Sequence, residues 1–313
     1  MWNGKMVVYG IRQGVGQVKL INSAVPVEEA KGKVTARQAA KIQLIQEVKT
    51  YAKNQLHLNV EESSYASFVL QDSTSTMWVV TAAEPFALKD YNWNYGPVGK
   101  MPYKGFFDYS LAKKEEEFIS KQGYDTELGT ASGWSTLGIL SEPILSNMLE
   151  RDSARLVELI IHELTHATIY HFGETIWNEN MATFIGREGT KRFLIEELKD
   201  TTLLLRYEES LQQKELRSQF IQAKAKALNN LYESEPFKVL SSQEKVELKT
   251  TFMQEFVTAY KTQFPRRKHN FSILPNNTLF TDFLMYHSNL DSLELVLQHQ
   301  YQGDLPQLIL EHK

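Results

Sequence analysis

Two histidines four positions apart, His162 and His166, with Glu163 directly after the first, are the residues of this chain best suited to chemistry. They lie in the stretch Arg155 to Tyr170, RLVELIIHELTHATIY, whose apolar residues recur at helical spacing. On an α-helix, residues i and i+4 stack on one face. Both imidazoles can then reach one metal ion at about 2.0–2.1 Å, the Zn–N distance of a tetrahedral site. Glu163 falls about 100° around the helix, beside the metal and not on it, where it can hold and deprotonate a metal-bound water. Val157, Ile160, Leu164 and Ala167 fall roughly opposite the histidines and predict a buried back. Asp152 and Ser153 offer N-cap oxygens just ahead.

A hydrolytic zinc site takes three protein ligands and keeps a fourth position open. After His166 the chain reads ATIYHFGETIWNENMATFIGREG. Gly173 is expected to end the first helix and Thr175 to cap a second, with Trp177, Met181, Phe184 and Ile185 as its apolar stripe. Glu179 lies in the first turn of that second helix, 179 − 166 = 13 positions after the second histidine. A short link forces an antiparallel hairpin, which swings Glu179 back over the metal. His171 is its competitor. The HExxHxxGxxH pattern needs glycine at 169 and histidine at 172, where Ile169 and Phe172 stand, so His171 is expected at the surface or behind the ligands.

HELTHA followed by NENMA resembles the gluzincin metallopeptidases, and more narrowly the bacterial family of predicted aminopeptidases that pairs HELAH-type with FNExxAxF-type motifs. PYKGFF (Pro102 to Phe107), STLG with EPILSNML (Ser135 to Gly138, Glu142 to Leu149), PNNTL with Tyr286, and the opening YGIRQGVGQVKLI with Pro26 are similar to further segments of that family. The resemblance covers nearly the whole chain. It implies one Zn2+ per chain held by His162, His166 and Glu179, with Glu163 as base and a peptide or small peptide-like molecule as substrate. It makes Tyr103, Ser135, Thr136, Asn276, Asn277 and Tyr286 candidate substrate contacts. Tyr170, His171, Tyr103 and Tyr286 are candidates for the second donor to a tetrahedral oxyanion. An aminopeptidase must also grip a free ammonium group. The GxMEN segment that does so in well-known gluzincin aminopeptidases is absent, which leaves Glu127, Glu142 and Glu188 as substitutes and a zinc endopeptidase as an alternative. The alternative from another class is a non-catalytic zinc-bearing envelope or interaction scaffold, closed by a fourth protein ligand. Family members usually carry a lipoprotein signal or membrane anchor ahead of the segment where this chain begins. An upstream tether, and with it the cell envelope, is therefore an expectation; without one the expectation is cytoplasmic.

These residues need a scaffold, and 313 residues with 42% apolar content can bury one large core or two tight ones. A net charge of −4 carries no nucleic-acid footprint, and the basic run Arg266-Arg267-Lys268-His269 reads as a solvated loop. With no cysteine, disulfides and thiolate metal sites are excluded. No stretch is long and apolar enough for a membrane span. The pattern predicts a first helix over residues 6–24, closely packed through Gly10, Gly14 and Gly16, and a strongly periodic helix from Ala36 to Leu56. Strands are expected at Tyr65 to Leu70 and Thr76 to Ala82, then an irregular loop through PYKGFF and a charged helix from Leu111 to Gln122. YDTELGTASGWSTLG reads as strand and turn running into a helix at Pro143. Its part before Ser135 is, by analogy with zincin folds, the edge strand that pairs with substrate backbone. Long helices are expected at Thr201 to Ser234 and Ser242 to Phe264, and a last one from Asn276 and Asn277 past Tyr286. Together these predict an α+β protein with a zincin-like core over 1–200 and a helical region over 201–313, or one domain throughout.

Overall fold

Thr35 opens the first long helix, Ala36–Asn54, with a capping box: its hydroxyl accepts from the Gln38 N–H and the Gln38 side chain reaches back to the cap. This computed structural model describes residues 23–70 (31 and 33 excepted), 77–95, 99–130, 143–265, 271, 273–286 and 290–313. The expected helix over 6–24 lies almost wholly outside them, as do Ser135, Thr136 and the basic run after Pro265. The fold is mixed and mostly helical with small sheets, as an α+β chain should be.

Two compact units share the chain. The described residues of Met1–Met77, Thr130–Gln212 and Tyr286–Lys313 make the first, and those of Trp78–Gly129 and Gln213–Met285 the second. This division differs from the 1–200 and 201–313 halves, because each unit gathers segments that are distant in sequence.

In the first unit a small sheet pairs Val25–Pro26 antiparallel with Ser67–Val69, and Ser67–Val69 parallel with Ile144–Leu145. After it, Ser146–Glu150 coils as a 3-10 helix where an α-helix is expected from Pro143. Two α-helices follow, Ser153–His166 (the histidine helix) and Thr175–Glu196 (the glutamate helix). The core beneath them includes Ile42, Ile45 and Val48 of Ala36–Asn54, Leu156, Val157, Ile160 and Ile161 of the histidine helix, and Leu305, Leu308 and Ile309 near the C-terminus. Each fully buried aliphatic side chain contributes about 1.5–3 kcal/mol, so several along one helix fix its back firmly. Asp152 caps the histidine helix by accepting from the Arg155 N–H at 3.0 Å. Ser153 serves differently: its hydroxyl, with the Arg151 carbonyl, accepts from the buried end of Lys41 at 3.0 and 2.9 Å.

The second unit has a three-stranded sheet in the order Tyr103–Phe106, Trp78–Ala83, Asp125–Thr130. PYKGFF is thus mostly a strand and not a loop: Tyr103 faces Thr81 and Phe106 faces Trp78 in antiparallel register. Lys104 is buried because Glu115, on the helix Tyr109–Ser120, meets it at 3.0 Å and also accepts from the Trp93 indole at 2.9 Å. The sheet's partners in sequence are the helices Ser242–Gln263 and Asn277–Tyr286, whose Phe256, Tyr260 and Phe280 pack with Ile221, Leu228 and Tyr232 in a core of this unit's own. Among the described residues no helix is long and apolar enough to cross a membrane.

Asp282 is the unusual group of this second unit. Burial, with the charges of Glu127 and Asp90 behind it, pushes its carboxyl up to about 7, against the pull of the Thr81 hydroxyl that donates to it at 3.1 Å. Unfolded, it would titrate near 3.8. The folded state therefore holds this proton more tightly, so the associated stability is full at the acid end and falls as pH rises from about 4 to about 7. Asp282→Asn should leave stability nearly unchanged at pH 3 and raise it by a few kcal/mol at pH 8. Urea midpoints of both proteins in chelator test this, and a gain equal at both pH values would refute the linkage.

Candidate metal centre

Near the end of the histidine helix two threonine hydroxyls bond to carbonyls one turn back. Thr165 donates to the Ile161 carbonyl at 2.8 Å and Thr168 to that of Leu164 at 2.7 Å, while Thr168 also accepts from the Asn59 N–H at 2.8 Å. The helix ends at His166 with Ala167 as its C-cap, not at Gly173. Gly173 instead turns the link with φ at +84°, a value glycine adopts without strain. Glu174, not Thr175, stands at the start of the glutamate helix, and its side chain makes no capping bond.

This link returns the chain so that Glu179 faces both histidines. His162 Nε2 and His166 Nε2 are 3.2 Å apart. Glu179 offers one oxygen to each, Oε2 at 3.6 Å from His162 and Oε1 at 3.6 Å from His166. A tetrahedral ion with bonds of about 2.0–2.1 Å separates its ligand atoms by about 3.3–3.5 Å. One ligand atom from each of the three side chains lies within 4.8 Å of the others, so the group fits a zinc-sized ion once the Glu179 carboxylate turns toward both imidazoles. Among the described residues this is the group of His, Cys, Asp and Glu side chains able to hold a metal, and it has three members.

The electrostatics favour a cation here. Burial pushes the Glu179 carboxyl up, but hydrogen bonds from both imidazoles and their charge overcome it and bring the group down to about 2. Burial lowers the His162 pKa, yet the Glu179 hydrogen bond and the carboxylates of Glu163, Glu179 and Glu158 outweigh it and raise the group. Surroundings that favour a proton at this position favour a metal ion for the same reason. His166 Nδ1 is buried with no protein partner, so the tautomer with Nε2 free to ligate carries an N–H there that no described side chain or carbonyl accepts.

Glu163 follows His162 on the helix, half-buried and outside the triad. Tyr170 lies in the link and is 37% exposed. His171 stays out of the triad, its ring stacked on Trp177 at 3.9 Å and 4°. Tyr103, Asn276 and Asn277 belong to the second unit. There the Tyr103 carbonyl accepts from the Tyr95 hydroxyl, and Asn276 donates to the Thr126 carbonyl and accepts from the Thr278 N–H. Asn277 is fully buried: its amide donates to the Glu84, Pro85 and Ala87 carbonyls and accepts from the Tyr232 hydroxyl, a structural task that occupies both ends. Tyr286 ends the helix Asn277–Tyr286. Of the carboxylates considered for an ammonium group, Glu188 pairs with Lys191 at 2.5 Å, Glu127 accepts from Thr278 in the second unit, and Glu142 lies outside the described residues.

Sequence reasoning missed Asn178. Its side chain clamps His171 from both sides, Oδ1 accepting from the backbone N–H at 2.8 Å and Nδ2 donating to the carbonyl at 2.7 Å. The link is thereby tied to the first turn of the glutamate helix, one residue before the ligand. An asparagine, a poor helix former, near the start of an apolar-striped helix was the available signal. Asn178→Ala should lower stability by about 1–2 kcal/mol, two net hydrogen bonds. Urea unfolding measures it, and an unchanged midpoint would mean that the clamp contributes nothing.

No curated protein and no solved structure matches the chain. One family does, over residues 8–312, under the description "Putative aminopeptidase". Spanning nearly the full length, that match makes the chain a member of this aminopeptidase family.

Proposed function

We propose that the protein is a gluzincin-type zinc metallopeptidase that removes N-terminal residues from peptides. The observation that carries this reading is the convergence of His162, His166 and Glu179, one ligand atom from each lying within 4.8 Å of the others, with Glu163 beside His162 on the histidine helix. Family membership gives the hydrolase class and the peptide substrate; the zinc site and the roles of its residues are our reading.

His162 and His166 would hold the ion as neutral imidazoles through Nε2, and Glu179 would complete the protein ligands as a carboxylate. When bound, zinc supplies Lewis acidity, which lowers the pKa of a coordinated water from 15.7 toward about 7. Glu163 then acts as the general base. It accepts the proton of the attacking water and delivers it to the nitrogen of the leaving amine as the C–N bond breaks. Tyr170, in the link beyond the histidine helix, is the candidate donor to the developing oxyanion. Three protein ligands among the described residues support a catalytic site over a structural one, which would be closed by a fourth.

Glu163→Gln should keep stoichiometric zinc and lose about 10²–10⁴ in kcat against peptides, the usual contribution of a general base. Peptidase assays beside metal analysis of the same preparations test this, and full turnover in the variant would remove Glu163 from the role. Free peptides should be cut and N-acetylated ones spared. Equal cleavage of both would make the enzyme an endopeptidase.

A further inference from the structure

The two helices that carry the triad run antiparallel, and their contacts show where they come closest. Glu158, His162 and His166 follow one another every four residues along one side of the histidine helix. Across from them, Glu179 meets the two histidines, and two turns later Gly186 meets Glu158 and His162. A methyl group at Gly186 would lie 3.2 Å from the Glu158 carbonyl oxygen, 3.4 Å from His162 Cβ and 3.6 Å from His162 Cα. The first of these is tighter than ordinary packing, and its partner is helical backbone, which cannot swing aside as a side chain does.

Gly189 provides the contrast. A methyl there would meet Leu56 Cδ1 at 2.9 Å and Ile161 Cδ1 at 3.1 Å, the movable ends of core side chains. Both glycines sit inside a 22-residue helix where alanine would be the better helix former. Local propensity does not account for either. At Gly189 the core explains the choice; at Gly186 the neighbour is a ligand of the candidate metal.

We infer that Gly186 is a positioning residue for the metal centre: having no side chain, it lets the glutamate helix approach His162 closely enough for Glu179 to close the triad. The inference rests on the metal reading above. Gly186 and Glu179 lie on the same side of one helix, about 10 Å apart along its axis at 1.5 Å per residue. Parting the helices by a few tenths of an ångström at 186 displaces Glu179 by a similar amount, whereas a metal site holds its distances to about 0.2 Å. The Thr190 hydroxyl, one turn on, donates to the Gly186 carbonyl at 2.6 Å.

Zinc affinity, read by competition with a chromophoric chelator, and urea stability of the metal-free full chain together test the inference in wild type, Gly186→Ala and Gly189→Ala. Gly186→Ala should weaken zinc binding by about 10- to 100-fold, the usual effect of disturbing a residue that orients a ligand. Its metal-free urea midpoint should fall as well, because the 3.2 Å approach is to backbone, so the reading is the loss of zinc affinity relative to Gly189→Ala, and cobalt loaded in place of zinc should show altered visible bands. Gly189→Ala, whose neighbours are the movable ends of core side chains, should keep zinc affinity within about twofold whatever the change in its midpoint. Wild-type zinc affinity in Gly186→Ala, or parallel losses of stability and affinity in both variants, would overturn the positioning role while leaving the metal centre standing. A wild-type chain that took up no zinc would overturn the metal reading itself, and this inference with it.

Discussion

The candidate metal centre of the first unit depends on how closely two helices are allowed to pack. Three side chains with an affinity for metal are of little use unless their ligand atoms converge to within a few tenths of an ångström of a tetrahedral arrangement. Here convergence follows from a short chain of physical causes. Leu156, Val157, Ile160 and Ile161 bury one side of the histidine helix and so fix which side faces its neighbour. The link turns at Gly173, and Asn178 fastens it to the second helix. Where the glutamate helix comes nearest to His162, Gly186 has no side chain to hold the two apart.

In the second unit two of the family-like segments hold buried polar groups together. Lys104, in PYKGFF, is a buried cation matched by Glu115, and Asn277, in PNNTL, is a bracket holding three carbonyls and a tyrosine hydroxyl. Breaking either would leave buried polar groups without partners, which is costly whatever the reaction. Asp125 works in the same way, accepting from the Asn277 N–H and from Lys249.

How much was legible in the sequence follows from the range of the interactions involved. The spacing of His162 and His166 is a local property of a helix, and the recurrence of Ile42, Ile45 and Val48 likewise gives the helix Ala36–Asn54. The position of Glu179 could be argued because only a short link separates it from the histidines. Helix ends were less legible. Gly173 looked like a terminator, but the helix ends seven residues earlier, at His166, and Gly173 turns the link instead. PYKGFF looked like a loop because proline, glycine and aromatics dominate it, and only its partner Trp78–Ala83 makes a strand of it. The division into two units was not legible at all, since it arises from contacts between distant segments, such as the Phe68–Ile144 pair and the Tyr51–Glu196 hydrogen bond across 145 positions.

That last contrast bears on the order in which the parts of the protein form. His162 and Glu179 are 179 − 162 = 17 positions apart, so the loop that must close to bring the ligands together is short and its closure entropy small. The scaffold beneath is another matter. The Arg192 guanidinium bonds to the Gly303 carbonyl 111 positions away, and the first unit's core needs Leu305, Leu308 and Ile309 from the far end of the chain. During synthesis the ligand hairpin leaves the ribosome long before those residues do. A metal captured early would therefore be held by a nascent hairpin, and its geometry would become rigid only once the C-terminal segment docks and completes the core.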